Sequence, residues 1–331
     1  MGRGNSPRWL ELHRSGELAS RAERASGLAG DCRLCPRACH AARFRPGTHG
    51  LCGAVSPAEA LVAASIPHFG EEPPVSGSRG SGTVFFGGCS LRCIFCQNHQ
   101  ISRLEDGCKI VRCDARELAG LFLELQRAGC HNLNLVTATP YLPSILEALG
   151  LAAADGFSLP IVYNSGGYES EETLELLESV VDIYLPDMKF GCPEQARLLC
   201  EAPEYVAVNR RAVAEMYRQA GLLELDSEGI ATGGLIVRHL VLPSGLAATR
   251  EVLEFIASRL SAEVHLSLMA QYYPAFRARE LPGLGRPVSR REYREAELWL
   301  EEFGFTNGWV QQLEAEAHYR PDFSRGDPFS S

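Results

Sequence analysis

Downstream of residue 80 one pattern repeats six times: a short, near-continuous aliphatic run, then a polar or amphipathic stretch. The runs are Thr83–Phe86, Asn132–Thr137, Pro160–Tyr163, Val181–Leu185, Leu235–Val241 and Val264–Met269. None alternates strictly, as expected of parallel strands buried on both faces. Between them, Asp114–Arg127 puts Leu118, Leu121, Phe122 and Leu125 on one helical face, and Glu171–Val180 and Arg250–Leu260 behave similarly. A last helix, Arg290–Phe303, begins near Ser289 and ends at Gly304. Six strand–helix units predict an α/β fold, a partial (β/α)6 barrel of TIM-like kind over residues 76–310. Residues 1–29 read as an N-terminal extension, 30–75 as a four-cysteine metal-binding segment and linker, and 311–331 as a C-terminal tail without a role.

Composition narrows the function. With 45% hydrophobic and 22% charged residues, the chain can bury a full core. No apolar run approaches the ~20 residues of a membrane span. Glu11, Glu17 and Glu23 interrupt the N-terminal arginines, so no targeting signal is read and a cytoplasmic location is expected. A net charge of −9 argues against nucleic-acid binding. Only two of 32 basic residues are lysines, Lys109 and Lys189. Twelve cysteines in a reducing compartment point to metal binding or redox chemistry.

Those cysteines fall into groups. Cys108, Cys113, Cys130, Cys192 and Cys200 are scattered and read as small buried hydrophobes. Cys32, Cys35, Cys39 and Cys52 are spaced C-x2-C-x3-C-x12-C in a stretch broken by Pro36, Pro46, Gly47, Gly50 and Gly53. Four thiolates there can hold Zn2+ or a second iron–sulfur cluster, with His40 or His49 able to replace one. Cys89, Cys93 and Cys96 form C-x3-C-x2-C directly after a strand ending in Gly87-Gly88. That is the strand end where α/β folds place their chemistry. Three thiolates on a [4Fe–4S] cube leave one iron open to a small molecule; His99 is the nearest candidate for a fourth ligand.

C-x3-C-x2-C with Phe95 just before the last cysteine resembles the signature of radical S-adenosylmethionine enzymes. The wider string GCSLRCIFCQN is similar to the branch of the pyruvate formate-lyase activating enzymes. The resemblance implies a partial barrel of the radical SAM type and a [4Fe–4S] cluster on Cys89, Cys93 and Cys96. It also implies S-adenosylmethionine chelating the open iron through its amino and carboxylate groups, with Phe95 on the adenine side. One-electron cleavage would yield methionine and a 5′-deoxyadenosyl radical that takes hydrogen from a substrate, in the activating enzymes a glycine of a partner protein. A flavodoxin or ferredoxin-type protein would donate the electron.

The resemblance also orders the strand ends. The activating enzymes usually carry Gly-Gly-Glu after the second strand; here Thr137-Ala138-Thr139-Pro140 departs from it, making Thr137 or Thr139 the expected contact to the cofactor amine. Asn164, in Tyr163-Asn164-Ser165-Gly166-Gly167, matches a turn on the ribose side. Asp187 and Lys189 resemble the family's Asp-x-Lys, and two residues apart on a strand they face one way. Arg238 is costly to bury without an anion, and the cofactor carboxylate or Asp187 would supply one. His239 is given no role, and Met269 to Pro274 are read as shaping the substrate mouth. On the residues alone, His68, Glu71 and Glu72 read as a solvated, proline-bounded linker. The stretch His-Phe-Gly-Glu-Glu-Pro-Pro behind four cysteines is similar to an uncharacterised subgroup named after the activating enzyme, a likeness covering about residues 30–310. An iron–sulfur electron carrier and a zinc-binding interaction module are the competing classes.

Overall fold

A computed structural model describes residues 7–313, 320–325 and 327–329. Ten strands form its sheet: β1 Glu59–His68, β2 Ser81–Phe86, β3 Val111–Asp114, β4 Leu133–Val136, β5 Ile161–Ser165, β6 Ile183–Pro186, β7 Glu224–Leu225, β8 Ala231–Leu240, β9 His265–Met269 and β10 Gly308–Val310. Their order is β10-β9-β8-β6-β5-β4-β2-β1-β3, with β7 paired to β8. The six expected runs are β2, β4, β5, β6, β8 and β9, each parallel to its neighbour. Every residue of β2 is buried, as a strand covered on both faces must be. The sheet is therefore a mostly parallel partial barrel, left open between its edge strands β3 and β10.

Helix starts follow local chemistry. Asp114 accepts from the backbone N–H of Arg116 and Glu117, while the Glu117 carboxylate accepts from Asp114 N–H. Ser289 and Glu292 repeat this box before Arg290–Glu302, and each such cap is worth about 1 kcal/mol. Two ends differ from expectation. The helix from Glu171 stops at Leu177, and Thr249–Phe255 runs on into a π-turn over Ile256–Leu260. Among the described residues no helix is long and apolar enough to cross a membrane.

Three segments outside the six units join the fold. The N-terminal helices Trp9–Ser15 and Glu17–Gly30 pack on it, with Trp9 buried and donating through Nε1 to the Leu159 carbonyl at 3.1 Å. The linker expected within residues 30–75 is corrected: β1 is an antiparallel partner of both β2 and β3, and Glu71 and Glu72 are buried rather than solvated. Their solvent is replaced by Arg238, whose Nη1 donates to Glu71 at 3.2 Å. The tail expected to be uninformative lies partly outside the described residues, at 314–319, 326 and 330–331. Its described part packs inward instead: the buried Phe323 ring lies 5.5 Å from Phe85, and Phe329 lies 4.2 Å from His68. Gln100 accepts from Phe323 N–H at 2.9 Å. These aromatics pack on His68 of β1 and Phe85 of β2.

Candidate active site

The cysteine loop leaves β2 through two glycines, and the second is obligatory. Gly88 has φ +78°, and a Cβ there would sit 2.0 Å from the Cys52 carbonyl oxygen. The loop thus turns directly against the four-cysteine segment. Tyr141 donates to the Gly87 carbonyl at 2.6 Å, and Gly87 N–H donates to the Leu61 carbonyl. Beyond the turn, Ile94 N–H donates to the Leu199 carbonyl. Arg37, from the four-cysteine segment, donates to the carbonyls of Ser90, Cys200 and Glu201. Sequence reasoning missed this clamp, because an arginine beside cysteines looks like any other in so arginine-rich a chain.

The three thiols of the loop are near enough for Cys89 to feel the charges of Cys93 and Cys96. Burial pushes Cys89 up to about 12, with Cys93 and Cys96 adding to it. A hydrogen bond with Cys200, then burial, raises Cys93, and burial raises Cys96. The Lys189 ammonium opposes the rise at all three. Such thiols resist ionising alone, but metal ligation deprotonates them outright. His99, the nearest candidate for a fourth ligand, has its Nδ1 bonded to Glu105 at 3.1 Å and its ring stacked on Phe276. Among the described residues no three Cys, His, Asp or Glu side chains are gathered closely enough to chelate one ion. A four-iron cube is held at its corners by separate thiolates, so this donor set fits the cube.

Four of the expected residues converge beside the loop. Lys189 Nζ donates to Asp187 Oδ2 at 2.5 Å, and Arg238 Nε donates to Asp187 Oδ1 at 2.9 Å. Arg238 Nη2 donates to Asn164 Oδ1 at 2.5 Å. Glu71, which the sequence did not suggest as a partner, completes the chain: it accepts from Arg238, Asn134 and Asn164. Burial works against the Asp187 carboxylate, yet Arg238 and Lys189 override it and hold Asp187 below its ordinary range. Burial also works against the charges of Lys189 and Arg238, but Asp187 and Cys93 raise Lys189, and Asp187, Glu72 and Glu71 raise Arg238.

Phe95 is buried against Phe190 and Tyr272, with ring centroids at 6.0 and 6.2 Å. His239 is a satisfied core histidine, bonded to the Met188 carbonyl and Thr249. Thr137 ends β4 at φ +62°, a strained conformation for a β-branched residue, of a kind that collects at functional sites.

Thr139 lies elsewhere: its hydroxyl donates to Glu169 Oε2 and meets the Tyr163 hydroxyl, both at 2.9 Å. It lines one small cavity together with Cys32, Cys35, Cys39 and Cys52. Burial there raises Cys35, Cys52 and Cys32, but no tetrahedron of ligands is preassembled among the described residues.

Glu169 behaves as a pH-sensitive element. Burial lifts its carboxyl to about 7, against hydrogen bonds from Thr139, Ser165 and Tyr163. The folded state holds this proton more tightly than the unfolded chain, whose ordinary value is 4.5. Its contribution to stability is therefore full below pH 4.5 and lost as pH rises through 7, by about 3 kcal/mol at most. Glu169→Gln is expected to flatten that loss, measured as the difference in urea unfolding free energy between pH 5 and 7.5.

Comparison with known proteins agrees with this geometry. The family model described as Radical SAM superfamily matches residues 83–237, from β2 into β8. An uncharacterized protein of Methanocaldococcus jannaschii is 31% identical over 299 residues, spanning 88% of this chain and 80% of the relative. With three cysteines at the mouth of its parallel strands and that match running across them, the chain belongs to the radical SAM superfamily, enzymes that work with a [4Fe–4S] cluster and S-adenosylmethionine.

Proposed function

We propose that Cys89, Cys93 and Cys96 hold the cluster, and that Asn164, Asp187, Lys189 and Arg238 receive the polar groups of S-adenosylmethionine. One observation carries this: a buried chain of paired charges begins at Lys189, whose ammonium acts on all three cysteine sulfurs. When bound, the cluster and cofactor supply a one-electron cleavage that yields methionine and a hydrogen-abstracting 5′-deoxyadenosyl radical. The chain's own residues bind and orient. Phe95, with Phe190 and Tyr272, offers the adenine an apolar wall, and Asn164, whose amide is bonded to Glu71 and Arg238, is assigned to the ribose side. Thr137, held at the end of β4, takes the amine contact; Thr139 supports that corner through Glu169. Fixed ion pairs need no reorganisation when the cofactor's charges arrive, which is how a site of this kind helps.

The partner this reading calls for is an electron donor of flavodoxin or ferredoxin type. Twelve cysteines outside any disulfide support a cytoplasmic setting. A glycine of a partner protein is a second reading of the substrate. The string GCSLRCIFCQN favours it.

Cys32, Cys35, Cys39 and Cys52 are proposed to hold Zn2+ or a second iron–sulfur cluster. Cys35→Ala should remove the metal of that segment and leave the iron of the barrel cluster in place, read by metal analysis of both proteins. Loss of both together would mean that the two cysteine groups serve one site.

The test of the main reading is anaerobic reconstitution with iron and sulfide, then dithionite. Equal amounts of methionine and 5′-deoxyadenosine support it. A brown protein without cleavage indicates an electron carrier, and a colourless zinc protein indicates a binding module.

A further inference from the structure

Arg43 carries a donor that its protein surroundings leave unmet. It stands in the loop between Cys39 and Cys52 and is only 2% exposed. Its guanidinium is pinned on one side: Nη1 donates to the Pro140 carbonyl and Nη2 to the Ser56 carbonyl, each at 2.8 Å. Its Nε is buried without a hydrogen-bond partner of good geometry. A buried donor left unmet costs about 1–3 kcal/mol, and more on a charged group, so an acceptor belongs there.

The local fold turns this donor toward the four-cysteine segment's own sulfurs. Arg43 N–H and Cys32 N–H both donate to the Ala41 carbonyl, at 2.9 and 3.2 Å, and His40 N–H donates to the Cys32 carbonyl at 3.1 Å. Arg43 is thereby folded back onto Cys32. Pro140, which accepts from Arg43, lines the same small cavity as Cys32, Cys35, Cys39 and Cys52. Burial raises Cys32 and Cys52; the N–H groups of Leu34 and Ala54 oppose this, and the Arg43 charge is the next influence to do so at each sulfur. Arg37 lines the cavity too, but each nitrogen of its guanidinium already donates to a carbonyl, of Ser90, Glu201 or Cys200.

The negative charge that calls for Arg43 arises on metal loading. Ligation deprotonates a thiol outright. Four thiolates then leave a doubly negative centre, around Zn2+ and around an oxidised [4Fe–4S] core alike. A buried centre of that charge is stable only beside a fixed cation and donor.

We propose that Arg43 is the counter-cation and positioning residue of the N-terminal metal centre, its Nε–H donating to the metal-bound Cys32 sulfur. This rests on the reading above that Cys32, Cys35, Cys39 and Cys52 hold a metal. Partners that bond to metal ligands change metal affinity by roughly 10–100-fold. Because the same guanidinium holds the Pro140 carbonyl, it also ties the centre to the turn after β4.

The test uses the full chain isolated anaerobically. Zinc and iron are counted in the parent and in Cys35→Ala, and whichever metal Cys35→Ala lacks belongs to the four-cysteine centre. EDTA is then added and the loss of that metal is followed with time. Arg43→Met should release it at least tenfold faster than the parent, while the iron that Cys35→Ala retains leaves at a rate within twofold. Arg43→Lys, which restores the charge, should return to within threefold of the parent. A Met variant that releases the metal at the parent's rate overturns the proposal. So does a Lys variant as fast as Met, since bulk and not charge would then matter. If Arg43→Met fails to fold, 15N NMR of the parent carries the test. The arginine Nε–H signal absent from Arg43→Lys should shift, and exchange faster with solvent, once EDTA has removed the metal; an unchanged signal overturns the proposal. The two claims fail apart. A parent with no Cys35-dependent metal sinks the centre itself and the role of Arg43 with it; a parent that has the metal, beside an indifferent Met variant, sinks Arg43 alone.

Discussion

Replacing Cys93 with alanine should abolish cofactor cleavage, by at least a thousandfold in 5′-deoxyadenosine formed per minute, with the fold intact. Cys93 is the middle of the three thiols, buried between the Cys89 turn and the Cys200 sulfur. Two remaining cysteines leave the cube with two unprotected corners, and the iron content of the reconstituted variant should fall with the activity. The fold has less at stake. Losing one buried sulfur removes less than a methylene-sized group or two, so a cost of about 1 kcal/mol is expected. Iron analysis, product formation and thermal unfolding of the same sample separate these effects. A variant that keeps cleavage within tenfold of the parent contradicts the assignment.

Arg238→Met should be the most destabilising change in the site. The guanidinium holds Asp187, Glu71 and Asn164 at once, and methionine fills its volume without its charge. Removing one partner of a buried pair strands the other, at about 3–5 kcal/mol. The pH dependence identifies the cause. In the parent, the low pKa of Asp187 adds stability above its ordinary 3.8 that is lost as pH falls. In the variant the stranded carboxylates have raised pKa values, so its folded state regains stability on protonation. The gap between the two proteins should therefore be wide at pH 7.5 and narrow at pH 5.5 in denaturant unfolding. A gap independent of pH would assign the loss to packing alone.

The strands and the cysteine loop were legible because their signals are local. A run such as Ile161–Ser165 states its own burial, and C-x3-C-x2-C after Gly87-Gly88 states its own chemistry. Asp187 and Lys189 were readable for the same reason, being two apart on one strand. What escaped were partnerships across long stretches of chain. Glu71 and Glu72 look solvated until Arg238, 167 residues later, supplies a counter-charge to Glu71. Arg37 gives no hint that it will reach Ser90 and Cys200. Thr139 was expected beside the cofactor because it sits at a strand end, but Glu169, buried in the turn after β5, engages its hydroxyl. The tail offered only two phenylalanines among polar residues; their place against His68 and Phe85 exists only once β1 and β2 are paired.

Electron paramagnetic resonance of the anaerobically reconstituted, dithionite-reduced protein tests the core of this account most directly. With an iron free of protein ligands, adding S-adenosylmethionine should shift the g-values of the [4Fe–4S]+ signal, and should do so in the Cys35→Ala variant as well. A spectrum indifferent to the cofactor, in protein carrying a full complement of iron, would contradict it.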